Sequence, residues 1–258
     1  LRNTSNSCLL MTKSYSFPLT AAGSPSFLDI SGVSSTNLVL RAQPGEKPFA
    51  VALSLSQRSG QGRNDRAWLS RPGEALALSV LLRHDIITAG ITTWVPLLAG
   101  VAAVRAAKEI GVTNAVLKWP NDVLVGSAKL AGILCEMLPS GSVVVGVGIN
   151  LNFESAPPVP HATSVAEHST LVSNTPDRFA HSFLEHLKNL VASDALAASE
   201  QVASVMDTLG RDVSVLEMDG SRWSGRAERL TPSGALLVTD SAGIEHPLTA
   251  ADVEHLYQ

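Results

Sequence analysis

KWPND at residues 118–122, KLAGIL at 129–134 and VVVGVGINLN at 143–152 decide how this chain folds. Three apolar segments in close succession read as neighbouring buried strands, yet Lys118 and Lys129 sit among apolar and small residues, and Gly146 and Gly148 interrupt the last run. A fully buried lysine is rare unless paired, and a glycine inside a strand usually marks close approach by a backbone or a ligand. These residues outline a lined slot. Strand walls exclude water, the glycines leave room for a flat or chain-like ligand, and the ammonium groups meet an anion or a polarised carbonyl, where a dry cleft strengthens each charge.

Working outward, residues 27–30, 48–56, 74–83, 115–119 and 130–138 are expected strands beside 143–150, with a hairpin turn around Gly126. Hydroxyls at 34–36 are placed to cap a short segment at 37–42. Residues 93–110 predict an amphipathic helix, with Pro96 in its first turn, Gly111 past its end and Leu97, Val101, Val104 and Ile110 near helical spacing. Proline-rich 153–176 is expected to be a surface loop, and 176–193 and 196–209 to be helices, the first with Phe179, Phe183, Leu187 and Val191 on one stripe. Short alternating segments at 213–218, 222–230, 235–239 and 245–248, separated by glycine turns, predict a small barrel of about 48 residues. The fold class is α+β, with a tail at 1–25, a core domain at 26–209 and the barrel at 210–258.

Composition narrows the function. A length of 258 residues with 45% hydrophobic content supplies a substantial core, and a net charge of −4 argues against a nucleic-acid binder. No apolar run reaches the roughly 18 residues of a membrane span. The N-terminal segment lacks the apolar core of a signal peptide, and two cysteines, Cys8 and Cys135, support no disulfide framework, so a cytoplasmic location is expected. His181 and His186, five apart, and the lack of CxxC or HExxH spacing suggest no structural metal.

The loop GQGRNDRAW at 60–68 places Arg63 and Arg66 beside Gly60 and Gly62. Guanidinium forks suit phosphate oxygens, and glycine lets the backbone come close. Together with Ser35-Thr36-Asn37, KWPND, KLAGIL and the GxGxN end at 146–150, this loop resembles the biotin protein ligases over most of the chain. The resemblance implies a mixed sheet flanked by helices, like the class II aminoacyl-tRNA synthetase catalytic domain, with the C-terminal barrel SH3-like. It also implies an enzyme that turns biotin and ATP into biotinyl-5'-AMP and pyrophosphate, then biotinylates a lysine of a biotin carboxyl carrier domain of a carboxylase.

By that resemblance Ser35, Thr36, Asn37, Gln57, Gly60, Arg63, Lys129, Gly132, Gly146 and Gly148 bind biotin. Arg63, Arg66, Trp68, Lys118, Asn121 and Asn150 bind ATP, Lys129, Arg63 and Lys118 act in catalysis, and Asp122 holds Mg²⁺ or orients the acceptor lysine. The residues alone also allow Trp68 as a half-buried core tryptophan, Ser35 and Thr36 as helix caps, Lys129 as a surface lysine and Asp122 as a turn residue. Gln61 and Asp65 depart from the family's GRGRxGR loop, which predicts a weaker hold on the adenylate. The rival within the same architecture is a lipoate or octanoate ligase or transferase, for which Cys135 is the candidate nucleophile; a peptide-binding scaffold is the rival from another class. About 26 residues precede the first expected strand, too few for a helix-turn-helix, so no operator binding is expected.

Overall fold

A computed structural model describes residues 15–256 apart from 31, 44, 65, 171, 173, 218 and 250. The N-terminal part runs α1 (Pro18–Gly23), β1 (Phe27–Asp29), α2 (Thr36–Arg41), β2 (Val51–Ser54), β3 (Gly60–Gln61), β4 (Ala67–Trp68) and β5 (Ala75–Leu82). It continues with α3 (Val95–Glu109), β6 (Ala115–Lys118), β7 (Asp122–Val125), β8 (Ala128–Met137), β9 (Val143–Asn150), α4 (Thr175–Val191) and α5 (Ala195–Ala203). The C-terminal strands are β10 (Asp212–Leu216), β11 (Arg222–Leu230), β12 (Leu236–Asp240), β13 (Glu245–Leu248) and β14 (Asp252–His255).

Seven strands form one mixed sheet in the order β1-β2-β5-β9-β8-β7-β6, parallel between β1 and β2 and antiparallel elsewhere. Its two faces differ because side chains alternate along each strand. Leu76, Leu78, Val80 and Leu82 of β5 and Val143, Val145, Val147 and Ile149 of β9 point into the large core with α3 and α4. Leu40 of α2 packs on the other face against Ala50, Ala52, Leu81 and Val144. The remaining residues on that second face, Ala75, Ala77 and Ser79 of β5 and Gly146, Gly148 and Asn150 of β9, are the small and polar ones. That division is what leaves a slot on the α2 side of the sheet.

Most expected elements form, with three differences around the slot. β7 was not anticipated, so KWPND is the tight connection between β6 and β7, with Lys118 paired across to Asp122. The hairpin at Gly126, where φ is 59°, therefore joins β7 to β8. Residues 153–176 are not simply a surface loop: Thr163, Ser164 and Val165 are buried, and Lys129 donates its N–H to His161 O while Thr163 N donates back to Lys129 O. Finally, the expected helix at 196–209 ends at Ala203, and Leu117 and residues 205–207 exchange backbone hydrogen bonds instead.

Two further expectations change at the chain ends. Residues 1–14 lie outside the described part, but the loose tail does not extend to residue 25. Leu19 N, Thr20 N and Thr20 Oγ1 all donate to the carboxylate of Asp177, which docks α1 onto α4. The C-terminal strands form an open antiparallel sheet, β13-β12-β11-β10-β14, rather than a closed SH3-like barrel. Its edge strands β13 and β14 share no ladder among the described residues, and β14 was missed in the sequence because, of its four residues, only Val253 is apolar. No helix among the described residues is long and apolar enough to cross a membrane.

Candidate active site

A cavity of about 390 Å³ opens on the α2 side of the sheet. Its floor follows from register. Ala77, Gly148 and Gly132 lie side by side across β5, β9 and β8, and Ser79, Gly146 and Leu134 form the next row. Both glycines are required by close approach. A Cβ on Gly148 would stand 2.5 Å from Trp68 Cε2, and one on Gly146 would stand 2.4 Å from Asn37 Oδ1. Trp68 thus roofs the first row and Asn37 the second.

The inner end of the slot is a chain of polar bonds. Thr36 N and Thr36 Oγ1 lie 2.7 and 3.2 Å from Gln57 Oε1. Ser79 Oγ sits 2.7 Å from Thr36 Oγ1 and 2.6 Å from Asn37 Oδ1. Asn37 Nδ2 donates to Glu136 Oε2 at 2.7 Å, and Arg41 Nη1 donates to Glu136 Oε1 at 2.5 Å. Ser35 occupies the N-cap of α2 without a side-chain capping bond, and it is Gln57 that receives the first helical N–H. Capping therefore does not account for these hydroxyls.

Charge gathers at the outer end. The cavity is lined by Arg63, Arg66, Lys118, Lys129 and Arg222 against Asp122, Asp252 and Glu254, an excess of two positive charges on a chain of net charge −4. Lys129 Nζ is 2.6 Å from Asp122 Oδ1 and 5.9 Å from the Trp68 ring centroid. Lys118 has no carboxylate within 4 Å among the described residues. Arg66 pairs closely with Asp252 of β14, and Arg63 reaches the same carboxylate at 3.9 Å and Asn121 Oδ1 at 3.4 Å. Burial lowers the Arg63 guanidinium from its ordinary pKa, with Asp252 and Asp122 opposing that shift. A guanidinium shielded from water in this way binds phosphate oxygens more strongly than an exposed one.

Of the residues expected from sequence, Ser35, Thr36, Asn37, Gln57, Arg63, Arg66, Trp68, Lys118, Asn121, Asp122, Lys129, Gly132, Gly146, Gly148 and Asn150 all line this cavity. Gly60 does not: it pairs with Trp68 behind the wall, where its Cβ would stand 2.6 Å from Trp68 O. Asn150 also serves the scaffold, donating to Lys129 O at 3.2 Å and Thr163 O at 2.9 Å. Asp65 lies outside the described residues. Asp122 is engaged by Lys129, and no group of three His, Cys, Asp or Glu that could hold a metal is gathered among the described residues. With Lys129 on its carboxylate, Asp122 alone does not make a resident Mg²⁺ site.

Sequence reading missed Ser79, Glu136, Arg222 and Asp252. Ser79 was visible as the single polar residue in the buried strand ALALSVLL. The Arg66–Asp252 pair carries no local signal, since 186 residues separate the partners.

A model of the biotin/lipoate A/B protein ligase family matches residues 33–154, the part that carries the slot. The chain is also similar to a biotin–[acetyl-CoA-carboxylase] ligase of Mycobacterium tuberculosis, 32% identical over 235 residues, 88% of this chain and 86% of that protein. This chain belongs to the biotin protein ligase family. Its fold is similar to that of the Aquifex aeolicus biotin protein ligase solved with biotin and ATP, with a TM-score of 0.75 at 25% identity over 90% of this chain and 100% of the other. A bifunctional ligase/repressor of Bacillus subtilis is 40% identical over 106 residues, 40% of this chain and 32% of that protein.

The rival transferase chemistry within this family needs an accessible thiolate. Cys135 packs against the core rather than lining the cavity, and burial, with Glu136 adding to it, pushes its thiol up to about 12. At neutral pH that sulfur is a small apolar group.

Proposed function

We infer that this chain is an ATP-dependent biotin protein ligase that activates biotin to biotinyl-5'-AMP and transfers it to a lysine of a biotin carboxyl carrier domain. One observation carries the reading: a single slot is polar at its inner end, glycine-floored in the middle and cationic at its mouth. Biotin has that same order of parts, a ureido ring, an apolar chain and a carboxylate. A dithiolane or an alkyl chain would leave the inner polar groups unmatched, at about 1–3 kcal/mol for each buried group.

The chemistry follows from where charge develops. A carboxylate resists attack by an amine, so its oxygen first attacks the α-phosphorus of ATP; the bond to the bridging oxygen breaks and pyrophosphate leaves. Lys129, Lys118 and Arg63 stabilise the charge on the transferring phosphoryl oxygens, and the slot holds the two anions in line. Arg66 and Arg63 leave Asp252 for phosphate oxygens, and Lys129 shifts from Asp122 toward the new anhydride. The freed Asp122 carboxylate then faces the incoming acceptor amine and takes its proton as the nitrogen attacks the acyl carbon, and the bond to the phosphate oxygen breaks to release AMP. We assign Mg²⁺ no protein-held site; it would arrive on the triphosphate. Trp68 covers the substrate chain from its position over Gly148.

The test is transfer. Incubation with ATP, labelled biotin and a carrier domain should place label on the acceptor lysine as a stable amide, with none on an acceptor whose lysine is replaced by arginine. Unlabelled carrier under conditions where ATP is hydrolysed would overturn the assignment.

A further inference from the structure

We propose that Ser79 and Glu136, which do not line the cavity, are positioning residues that fix the inner end of the slot as an acceptor pair for two N–H donors. The inference rests on the biotin reading and adds the basis of its head-group selectivity.

Proton accounting carries it. The Asn37 amide nitrogen faces Glu136 Oε2 at 2.7 Å and Leu134 O at 3.3 Å, two groups that only accept, so its amide cannot turn over. Arg41 anchors Glu136 from the far side at 2.5 Å. Asn37 Oδ1 therefore points at Ser79 Oγ, 2.6 Å away, and takes that hydroxyl's single proton. With the Ser79 proton on Asn37, the Thr36 hydroxyl has two acceptors in reach, Ser79 Oγ at 2.7 Å and Gln57 Oε1 at 3.2 Å, and its single proton is committed to one of them. Each partner is nearly sealed from water: Ser79 is 0% exposed, Thr36 3% and Asn37 4%, so no solvent proton relaxes the pattern.

Thr36 Oγ1 and Asn37 Oδ1 are left with lone pairs and no proton to give. Both residues line the cavity, next to Gly146. A head group with paired N–H donors satisfies them, whereas a ring oxygen in place of either N–H meets an acceptor that cannot become a donor. That mismatch leaves two buried acceptors face to face, a stronger rejection than a missing contact.

Removing the Ser79 hydroxyl leaves Asn37 Oδ1 without its donor and holds the Thr36 proton only by the longer 3.2 Å contact to Gln57 Oε1, so the Thr36 hydroxyl can turn toward the slot. The experiment compares biotin with its cyclic carbamate analogue, one ureido N–H replaced by oxygen, in acid-dependent pyrophosphate–ATP exchange. The wild-type chain should favour biotin in kcat/KM by at least about 30-fold, and Ser79→Ala should narrow that ratio about tenfold, on the scale of one buried hydrogen bond. Glu136→Gln, at the partly exposed edge of the ladder, should narrow it in the same direction, because a glutamine amide can donate to Asn37 Oδ1 and leaves only the longer 3.3 Å contact to Leu134 O opposing the turned amide. It serves as the second arm if Ser79→Ala does not fold. A merely structural role would lower both acids together and leave the ratio alone. Exchange by the wild-type chain with an unchanged ratio in Glu136→Gln and in folded Ser79→Ala would overturn this inference and spare the biotin reading. No exchange by the wild-type chain would remove both.

Discussion

Lowering the pH should destabilise this chain through one histidine. His255 of β14 is buried, its Nε2 is 3.0 Å from Thr208 Oγ1, and Thr208 Oγ1 also accepts from Trp119 N at 2.9 Å. The Thr208 hydroxyl can accept from both Trp119 N–H and His255 Nε2 or give its proton to Nε2, so the direction of this bond follows the imidazole tautomer. Burial, with Lys118 and Arg211 nearby, lowers His255 from 6.5 to about 4; Asp207, whose Oδ2 is 3.7 Å from Nδ1, opposes this. The folded state therefore binds this proton less readily than the unfolded chain. The stabilisation is complete above about pH 6.5 and is lost as pH falls toward 4. From pH 7 to pH 5 the linkage amounts to about 2 kcal/mol, or about 4–8 °C in Tm for a chain of this size. Carboxylates contribute to any acid loss, so the comparison is with His255→Gln, whose amide oxygen can still accept from Thr208 but does not titrate. Calorimetry at the two pH values should show a drop smaller by about 2 kcal/mol in the variant. Equal drops in both proteins would refute the link between β14 and the KWPND corner.

Three further outcomes are expected. Gly148→Ala, whose Cβ would press within 2.5 Å of Trp68, should cost about 1–3 kcal/mol in denaturant unfolding and raise the KM for biotin at least about tenfold; a variant with unaltered KM contradicts the roofed floor. Asp177→Ala removes the carboxylate that accepts from Leu19 N, Thr20 N and Thr20 Oγ1 and should cost about 2–4 kcal/mol, while a loss below about 0.5 kcal/mol would mean α1 is not docked. In a Cys8→Ser background, Cys135, with its thiol pushed up to about 12, should react with iodoacetamide at pH 8 at least about a hundredfold more slowly than free cysteine. Rapid alkylation or an octanoyl thioester on Cys135 would revive the transferase alternative.

Much of the slot was legible because strand periodicity is local. VVVGVGIN announces a strand with one apolar and one glycine-bearing face, and register alone then brings Gly146 beside Ser79 and Gly148 beside Gly132. The glycine–arginine loop and both lysines could likewise be placed at strand ends from composition. What could not be read was long-range pairing. β14 is short, with polar Asp252 and Glu254 alternating with Val253 and His255, and its use of Asp252 against Arg66 depends on the C-terminal sheet folding back over the loop. Barrel closure was also beyond the pattern, since alternation predicts strands but not whether the edge strands meet. Asp122 illustrates a further limit. Its carboxylate chemistry suits a cation, but only the bulged β7–β8 register shows that this cation is the Lys129 ammonium.

The most direct test is exchange of labelled pyrophosphate into ATP by the purified chain. Biotin should switch the exchange on, octanoate and lipoate should not, and Lys129→Gln should reduce it at least about a hundredfold, as expected for loss of a charge aimed at the developing oxyanion. No biotin-dependent exchange, or equal exchange with octanoate, would contradict adenylation of biotin in this slot.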